Sequence, residues 1–557
     1  MAAFSLVATS ADRFVFALPA IPDKLVSAMT STDPPDDRPA DTASLQDVTR
    51  EQLYRLAREL EIDGRSSMSK SELVAAVRSA ISGENRSPQA DQGAGQEKPP
   101  AHIGDPSAAS RTDAFELLAQ AAGRRELVML PRLLQGNDRR LHVRQTIRED
   151  HQTRIAHRSE DAARKFDKLA DCVFDFFRGT ALLFYRDMVG EDAWMPTALV
   201  LGDVHPGNFG VMPNADNVPI FAVNDFDEAY YAPFTWDLKR GAVGFMLAAE
   251  AAGGYKGKKQ RKIAARFLRG YVAGINGFAK NATEKSHEVR ADNAPPLIRD
   301  LIEDAMTDRS DWLADDYLDE SLRGFRSDEE LVPISSRREE FQKLVNDLVR
   351  DNEIRPPTRA GKMRVKDVAI RKGQGTASLG LPRYYVLLEG PRGDGTDDLI
   401  IELKQARKSA LAGLVPPTGN DFVAPGRRIV HAQAVQVARG DRFYGSATFE
   451  GMSFMSRERA PFRDDIDLDD LSKSEWKSYA EICGHALAHA HALSDEIGYL
   501  EHDVEPQIVQ AIGPPELFTD DILRFAEEAS ERVRRDHQMF REDHAQQAFQ
   551  TVDHVYA

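Results

Sequence analysis

Two acidic clusters one hairpin apart have the residue types and spacing for phosphoryl transfer. In Leu201-Gly-Asp-Val-His-Pro-Gly-Asn-Phe-Gly210, Asp203 and Asn208 stand in D-x-x-x-x-N order, and Asp225 follows in Phe221-Ala-Val-Asn-Asp-Phe-Asp-Glu228. Phosphoryl transfer asks a protein for positioning and charge neutralisation more than for covalent chemistry. One carboxylate must accept a hydroxyl proton, and an amide and a second carboxylate must hold magnesium against the phosphates. On this reading Asp203 is the base and Asn208 and Asp225 are metal ligands, with Asp227 as a further candidate and Glu228 in support. His205 either orients Asp203 or touches phosphate, or it serves the loop structurally. Asp237 is read as an anchor for the loop from a buried helix start. The plainer alternative is two β-turns with ordinary Asx chemistry. Carboxylates recurring at this spacing on the ends of apolar runs favour catalysis.

Such a site also needs a loop that covers phosphates and a lysine. Gly373-Gln-Gly-Thr-Ala-Ser-Leu-Gly380 lies between two β-rich runs, and Ile400-Ile-Glu-Leu-Lys-Gln-Ala406 follows as a strand carrying Lys404. Gly loop, strand, turn, then strand with lysine is the small-lobe order of kinases. Backbone amides at Gly373, Gly375, Ser378 and Gly380 would cover ATP phosphates, and Lys404 would pair with the α- and β-phosphates. A Gly-rich turn alone is weak evidence, because hairpins use glycine constantly. Here these parts follow the catalytic Asp203, whereas kinases place them before it. Either the small lobe is circularly permuted or the hairpin is unrelated. No acidic partner for Lys404 is visible: Arg427-Arg-Ile-Val-His-Ala-Gln433 offers Gln433 and then Gln436 where a glutamate is expected.

Gly202-Asp-Val-His-Pro-Gly-Asn208 and Asn224-Asp-Phe-Asp-Glu228 resemble the G-D-x-H-x-x-N and I-D-F-D motifs of aminoglycoside- and choline-kinase-like phosphotransferases. Together with Phe177-Arg-Gly179 and Pro233 to Arg240, they are similar to the bacterial domain-of-unknown-function 2252 family, over roughly Asp113 to Ser494. The resemblance implies a protein-kinase-like fold, brings no substrate, and favours permutation. Leu201 stands where small-molecule kinases usually carry histidine, so one orienting contact is absent. Asp203-Val-His205 also resembles the first ligands of metallophosphoesterases, but the matching Gly-Asn-His segment is missing. His485 and His489 share a helix face, with His491 close by; without a third ligand they read as surface or packed histidines, not as a zinc site.

The elements that must position these residues divide the chain. Residues 1–44 are expected to be disordered, 45–82 to form a helical module, and 83–112, rich in Gly, Pro, Gln and Ser, to be a linker. Residues 113–357 form the catalytic lobe with a helical extension, and the acceptor-binding residues are expected between Gly253 and Pro357. Residues 358–500 hold the Gly-loop and lysine region with its following helix, and 501–557 a helical tail. Within the module, Thr49 and Ser69 read as helix caps and Asp63-Gly64 as the break between helices. Leu53-Tyr-Arg-Leu-Ala-Arg58 and Ile62-Asp-Gly-Arg-Ser-Ser-Met-Ser-Lys-Ser-Glu-Leu73 resemble the Rho-termination-factor N-terminal, or SAP-like, domain. Such modules often bind DNA or RNA, which Arg55, Arg58, Arg65 and Lys70 would meet through phosphates. Glu51, Glu59, Glu61 and Glu72 offset them, so protein docking is an equal alternative.

Composition narrows the classes. Net charge is −17, which argues against a general nucleic-acid-coating role. Two cysteines, Cys172 and Cys483, exclude a disulfide framework and fit a reducing cytoplasm. Neither a membrane span nor a signal peptide is expected. The whole reads as an α/β (α+β), two-lobed, kinase-like fold with a permuted small lobe, plus the all-helical module. Its expected function is ATP- and Mg2+-dependent phosphotransfer to a hydroxyl on a small molecule or protein. The competing function is a non-catalytic nucleotide-binding regulator, recruited to nucleic acid or a protein partner by the module.

Overall fold

The computed structural model describes residues 130–373, 380–415, 424–496 and 502–551, with Ala119 and Leu500, and, near the N-terminus, Leu53, Ala57, Ile62 and 68–82. The chain forms two compact units, Met1–Pro99 and Pro100–Ala557. In the first, helix α1 (Lys70–Ser82) starts at a reciprocal cap. Glu72 N–H donates to Ser69 Oγ at 3.4 Å, and Ser69 N–H donates to the Glu72 carboxylate at 2.7 Å. Leu53, Ala57, Leu73 and Val77 are fully buried together. The expected Thr49 cap, the Asp63-Gly64 break and the segments 1–44 and 83–112 lie outside the described residues.

The second unit mixes helices with three small antiparallel sheets. Among the described residues from 130 on, its first α-helices are α2 (Gly136–Asp150), α3 (Gln152–His157), α4 (Ser159–Asp171), α5 (Val173–Gly179) and α6 (Ala181–Asp187). The apolar run Ala162 to Met188 predicts one helix, yet the chain turns at Cys172 and Thr180. Cys172 Sγ caps α5 by accepting Asp175 N–H at 3.3 Å. Strands β1 (Thr197–Val200), β2 (Phe209–Pro213), β3 (Pro219–Val223) and β4 (Tyr230–Pro233) follow, β1 pairing with β4 and β2 with β3. The β1–β2 loop carries Asp203 and the β3–β4 loop carries Asp225 to Glu228. Next come α7 (Thr235–Ala251), α8 (Lys258–Asn281), α9 (Pro296–Asp304) and α10 (Arg309–Asp316).

A six-stranded sheet is built from β5 (Leu331–Pro333), β6 (Val365–Arg371), β7 (Arg383–Leu388), β8 (Leu399–Gln405), β9 (Gly445–Phe449) and β10 (Met452–Arg459). Its order is β5-β6-β7-β8-β10-β9. Helix α11 (Arg338–Asp351) lies between β5 and β6 in the chain, and α12 (Pro425–Gln436) between β8 and β9. Period-two alternation decides what β8 offers. Leu399, Ile401 and Leu403 join the core under α11, while Ile400 joins a second core with Trp312, Tyr385 and Leu387. Glu402 and Lys404 share the face of Ile400. The sheet unit begins before the expected boundary at 357: β5 pairs with β6, and Phe341, Leu344, Val345 and Leu348 of α11 fill its core.

Helices α13 (Lys473–Ala492), α14 (Val504–Ile512) and α15 (Pro515–Ala545) complete the unit. Ser472 and Glu475 form the box that starts α13. Helix α15 closes the large core: Phe540 packs on Phe166 and Phe176, and buried Arg139 of α2 bridges Asp187 and Asp536. Among the described residues no helix is long and apolar enough to cross a membrane.

Candidate functional site

Asp237, in the first turn of α7, fixes the loop that carries Asp203. Its carboxylate accepts Leu201 N–H at 2.6 Å and Gly202 N–H at 3.0 Å. His491 Nε2, from α13, lies 3.1 Å from Asp237, and Tyr271 Oη lies 2.8 Å from His491 Nδ1. A carboxylate only accepts, so Nε2 carries the proton and Nδ1 accepts from the tyrosine. Burial, then the nearby Asp237, pushes the Tyr271 hydroxyl well above its ordinary pKa. His491 thus reaches the loop's anchor from a distant helix. Gly202, at φ +79°, passes so close to the Glu228 carbonyl that a Cβ would stand 2.3 Å from its oxygen. At Gly244 of α7, a Cβ would fall 3.0 Å from Val204 O and 3.1 Å from His205 Cα. The loop therefore lies flat on the helix.

Arg240, three residues beyond Asp237 and on the same helix face, holds the Asp203 side chain. Two of its nitrogens donate to Asp203 Oδ1, at 2.9 and 2.5 Å. The guanidinium is wholly buried and lies 4.2 Å from the Phe177 ring centre. Oδ2 remains, 3.8 Å from His205 Nε2, too far for a hydrogen bond. His205 is buried, and its Nδ1 accepts Gly207 N–H at 3.1 Å. Burial, then Arg178 and Arg240, hold its pKa well below the ordinary value. His205 shapes the turn as a neutral ring. Asn208 Nδ2 donates to the Asp203 carbonyl at 2.6 Å, which leaves its Oδ1 as an acceptor.

Across the cleft, Lys404 lies 2.5 Å from an Asp227 oxygen and 3.9 Å from Asp225 Oδ1. Burial, reinforced by Asp227 and Asp203, raises the Asp225 pKa despite Lys404. Burial also pushes Asp227 up, but Lys404, with Arg428 and Arg457 behind it, holds that carboxyl below its ordinary value. Asp227, expected at the metal, is thus the acidic partner that the sequence did not show for Lys404. On α12, Gln433 is buried and its amide atoms have no hydrogen-bond partner among the described residues, and Gln436 donates to Leu199 O at 2.7 Å. The helix contributes an arginine instead. Arg428 donates to the carbonyls of Asp227, Ala229 and Arg407, tying the Asp225 loop to the end of β8.

One cleft brings together Asp203, Asp225, Asp227 and Gln405 with Lys165 of α4 and Arg178 of α5. Glu228 also lines it; burial pushes its carboxyl up to about 7, although it accepts Ala410 N–H. No lining residue falls between Gly253 and Pro357, where the acceptor site was expected, because α10, β5 and α11 are committed to the six-stranded sheet. Gly373 and Gly380 end the Gly-rich hairpin with φ of +79° and +78°, and Leu381 beside it lines the cleft. Gly375 and Ser378 lie outside the described residues. Sequence reasoning missed Lys165, Arg178, Arg240 and Arg428. Only Arg178 and Arg240 carried a signal, inside Phe177-Arg-Gly179 and Pro233 to Arg240. His485 and His489 pack with His287 around Phe278, at ring separations of 5.0 to 5.5 Å. No group of three or more His, Cys, Asp or Glu among the described residues is arranged to hold a metal ion.

Comparison with known proteins gives two family matches. Residues 44–85 match the Rho termination factor, N-terminal domain. No curated protein and no solved structure matches the chain. Residues 158–543 match the family described as an uncharacterized protein conserved in bacteria, DUF2252. The cleft residues from Lys165 to Ala410, and Lys404 paired with two of them, lie inside that span, which covers most of the chain, and the chain belongs to the DUF2252 family.

Proposed function

We propose that this chain is an ATP- and magnesium-dependent phosphotransferase acting on a hydroxyl acceptor. The observation that carries the reading is the meeting of Lys404 with Asp225 and Asp227 in the cleft that holds Asp203, although their strands lie far apart in the chain. The order of parts in the six-stranded sheet supports it. A Gly-rich hairpin comes first, lysine sits on the next strand, and a helix precedes the last two strands, as in kinase small lobes. The permuted, kinase-like fold belongs to this proposal.

The donor set fits magnesium. That ion takes one or two carboxylates and completes its shell with water and substrate phosphates. Asp225 and the free Oδ1 of Asn208 would hold it, where it would neutralise charge on the β- and γ-phosphates. Lys404 would exchange Asp227 for phosphate oxygens. In the transfer, the acceptor oxygen bonds to the γ-phosphorus and the bond to the β–γ bridging oxygen breaks. ADP leaves with that electron pair, and Asp203 Oδ2 takes the hydroxyl proton. Arg240 keeps Oδ1 occupied so that Oδ2 faces the acceptor.

Calorimetric titration of the full chain with ATP, with and without magnesium, tests the reading together with an assay of ATP consumption. Magnesium-dependent binding and turnover are expected. A chain that binds no nucleotide sinks the proposal, and binding without turnover favours the regulatory alternative. The match at residues 44–85 supports a second role, docking on RNA or DNA. Deleting residues 45–82 should then abolish a gel shift that the full chain produces.

A further inference from the structure

Arg178 is a cation of the cleft that the transfer described above leaves unused. It stands next to last in α5, partly exposed to the cleft. Its Nε lies 3.3 Å from His205 Nε2, and its Nη2 would stand 3.8 Å from a Cβ placed on Gly207. The guanidinium therefore lies across the turn that runs from Asp203 to Asn208. Arg240 is paired with Asp203, Lys404 with Asp227 and Arg407 with Asp150. Arg178 has no carboxylate partner among the described residues; its contacts are His205 and the Phe174 ring, 5.7 Å away. A guanidinium kept beside a base without a counter-ion offers a planar fork to an anion. His205, neutral and buried between Arg178 and Asp203, cannot supply that charge.

Position decides which anion this is. Lys404 and the Gly-rich hairpin belong to the sheet side of the cleft, whereas Arg178 belongs to the Asp203 side. His205 Nε2 spans the gap, 3.3 Å from Arg178 and 3.8 Å from Asp203 Oδ2. A group delivered to a hydroxyl on Asp203 must pass within reach of that fork. We propose that Arg178 binds the terminal phosphoryl group of a nucleoside triphosphate and so distinguishes triphosphate from diphosphate. The proposal rests on the phosphotransferase reading. Arg178 would contact the γ-phosphoryl oxygens before transfer and stay with them as the bond to ADP breaks.

The test is titration of the full-length chain, with magnesium, by a non-hydrolysable ATP analogue and separately by ADP. Arg178→Gln should weaken the analogue about 10- to 100-fold, the scale of a lost charge-assisted hydrogen bond, and change ADP by less than about twofold. Lys404→Ala should weaken both ligands. Unchanged ADP affinity also shows that the variant's cleft is intact, which a merely structural arginine would not give. Arg178→Lys keeps the charge and stem; it should show a smaller loss on the analogue alone, and it carries the comparison if Arg178→Gln does not fold. Equal losses on both ligands, or none, overturn the clamp and leave the phosphotransferase reading standing. A wild-type chain that binds neither ligand overturns both.

Discussion

Around Asp203 a network of buried polar groups holds the loop, whereas around Lys404 ion pairs to Asp227 and Asp225 join a strand to a loop. The side chains of Asp237, Arg240 and His491 have no exposure at all. Those of Lys404, Asp227 and Asp225 are exposed by 8, 27 and 36%. Groups buried in such a network cannot leave without stranding a partner in a medium that penalises unpaired charge. Lys404 is itself buried, but its carboxylate partners reach solvent, so it can trade one anion for another without stranding a dry charge. On the proposed function, the difference teaches that the Asp203 side is built before substrate arrives and the Lys404 side is completed by it.

The largest effect expected on this contrast is chemical. Asp203→Asn should lower magnesium-dependent ATP turnover roughly 10²- to 10⁴-fold, the range of general-base catalysis, with nucleotide affinity unchanged within about twofold. A variant that keeps its full rate would remove Asp203 from the chemistry and dissolve the distinction between the two sides. Next comes stability. Asp237→Ala removes the acceptor of two backbone N–H groups and of His491, and should cost about 3–5 kcal/mol in urea unfolding. A loss below about 1 kcal/mol would show that the network is no more binding than the ion pair opposite.

Lys404→Ala should reverse that pattern. Nucleotide affinity should fall about 10-fold or more, while unfolding free energy falls less than in Asp237→Ala, because the Asp225 and Asp227 carboxylates left behind reach solvent. Affinity that does not move would separate the hairpin from the phosphates. The smallest effect is at Glu228, whose pKa rises by burial from an ordinary 4.5 to about 7. Between these values the folded chain holds a proton that the unfolded chain has lost, so this group makes stability fall as pH rises and levels off above about 7. Glu228→Gln should flatten that slope and gain about 1–2 kcal/mol at pH 8 over wild type, discounted for partial solvation, with no gain at pH 4. Denaturation midpoints at the two pH values measure it, and an equal gain at both would assign the effect to packing.

What could be read from the sequence was local. Asp203, Asn208 and Asp225 declare themselves because a tight loop keeps their spacing in the chain. Asp237 does so because it opens a helix just beyond them. Lys404 is legible because strand alternation and the preceding Gly turn are short-range patterns. Lys165 and Arg428 are single basic residues on ordinary helices, and only the packing of distant helices brings Lys165 to the cleft and Arg428 to the Asp225 loop. His491 was read as one packed histidine among three, since nothing in its own helix points to Asp237. Asp227 was assigned to metal by its closeness to Asp225; the side chain that claims it lies on another sheet. Strand β5 escaped notice because three residues carry no periodicity; α11 is legible as part of the helical extension, but a charged amphipathic helix does not say which sheet it covers.

Arg139 joins Asp187 to Asp536, partners 48 and 397 positions away. His491 reaches Asp237 across 254 positions. During synthesis the ribosome therefore releases the base loop long before the helices that lock it. Contacts of such span form late and slowly, after a large loop-closure entropy has been met. Until α13 and α15 dock, a nascent chain carries the acidic loop without its anchor and leaves the faces of Phe166 and Phe176 uncovered. The cleft is thus completed by α13 and α15, and on the proposed function nucleotide handling awaits their docking.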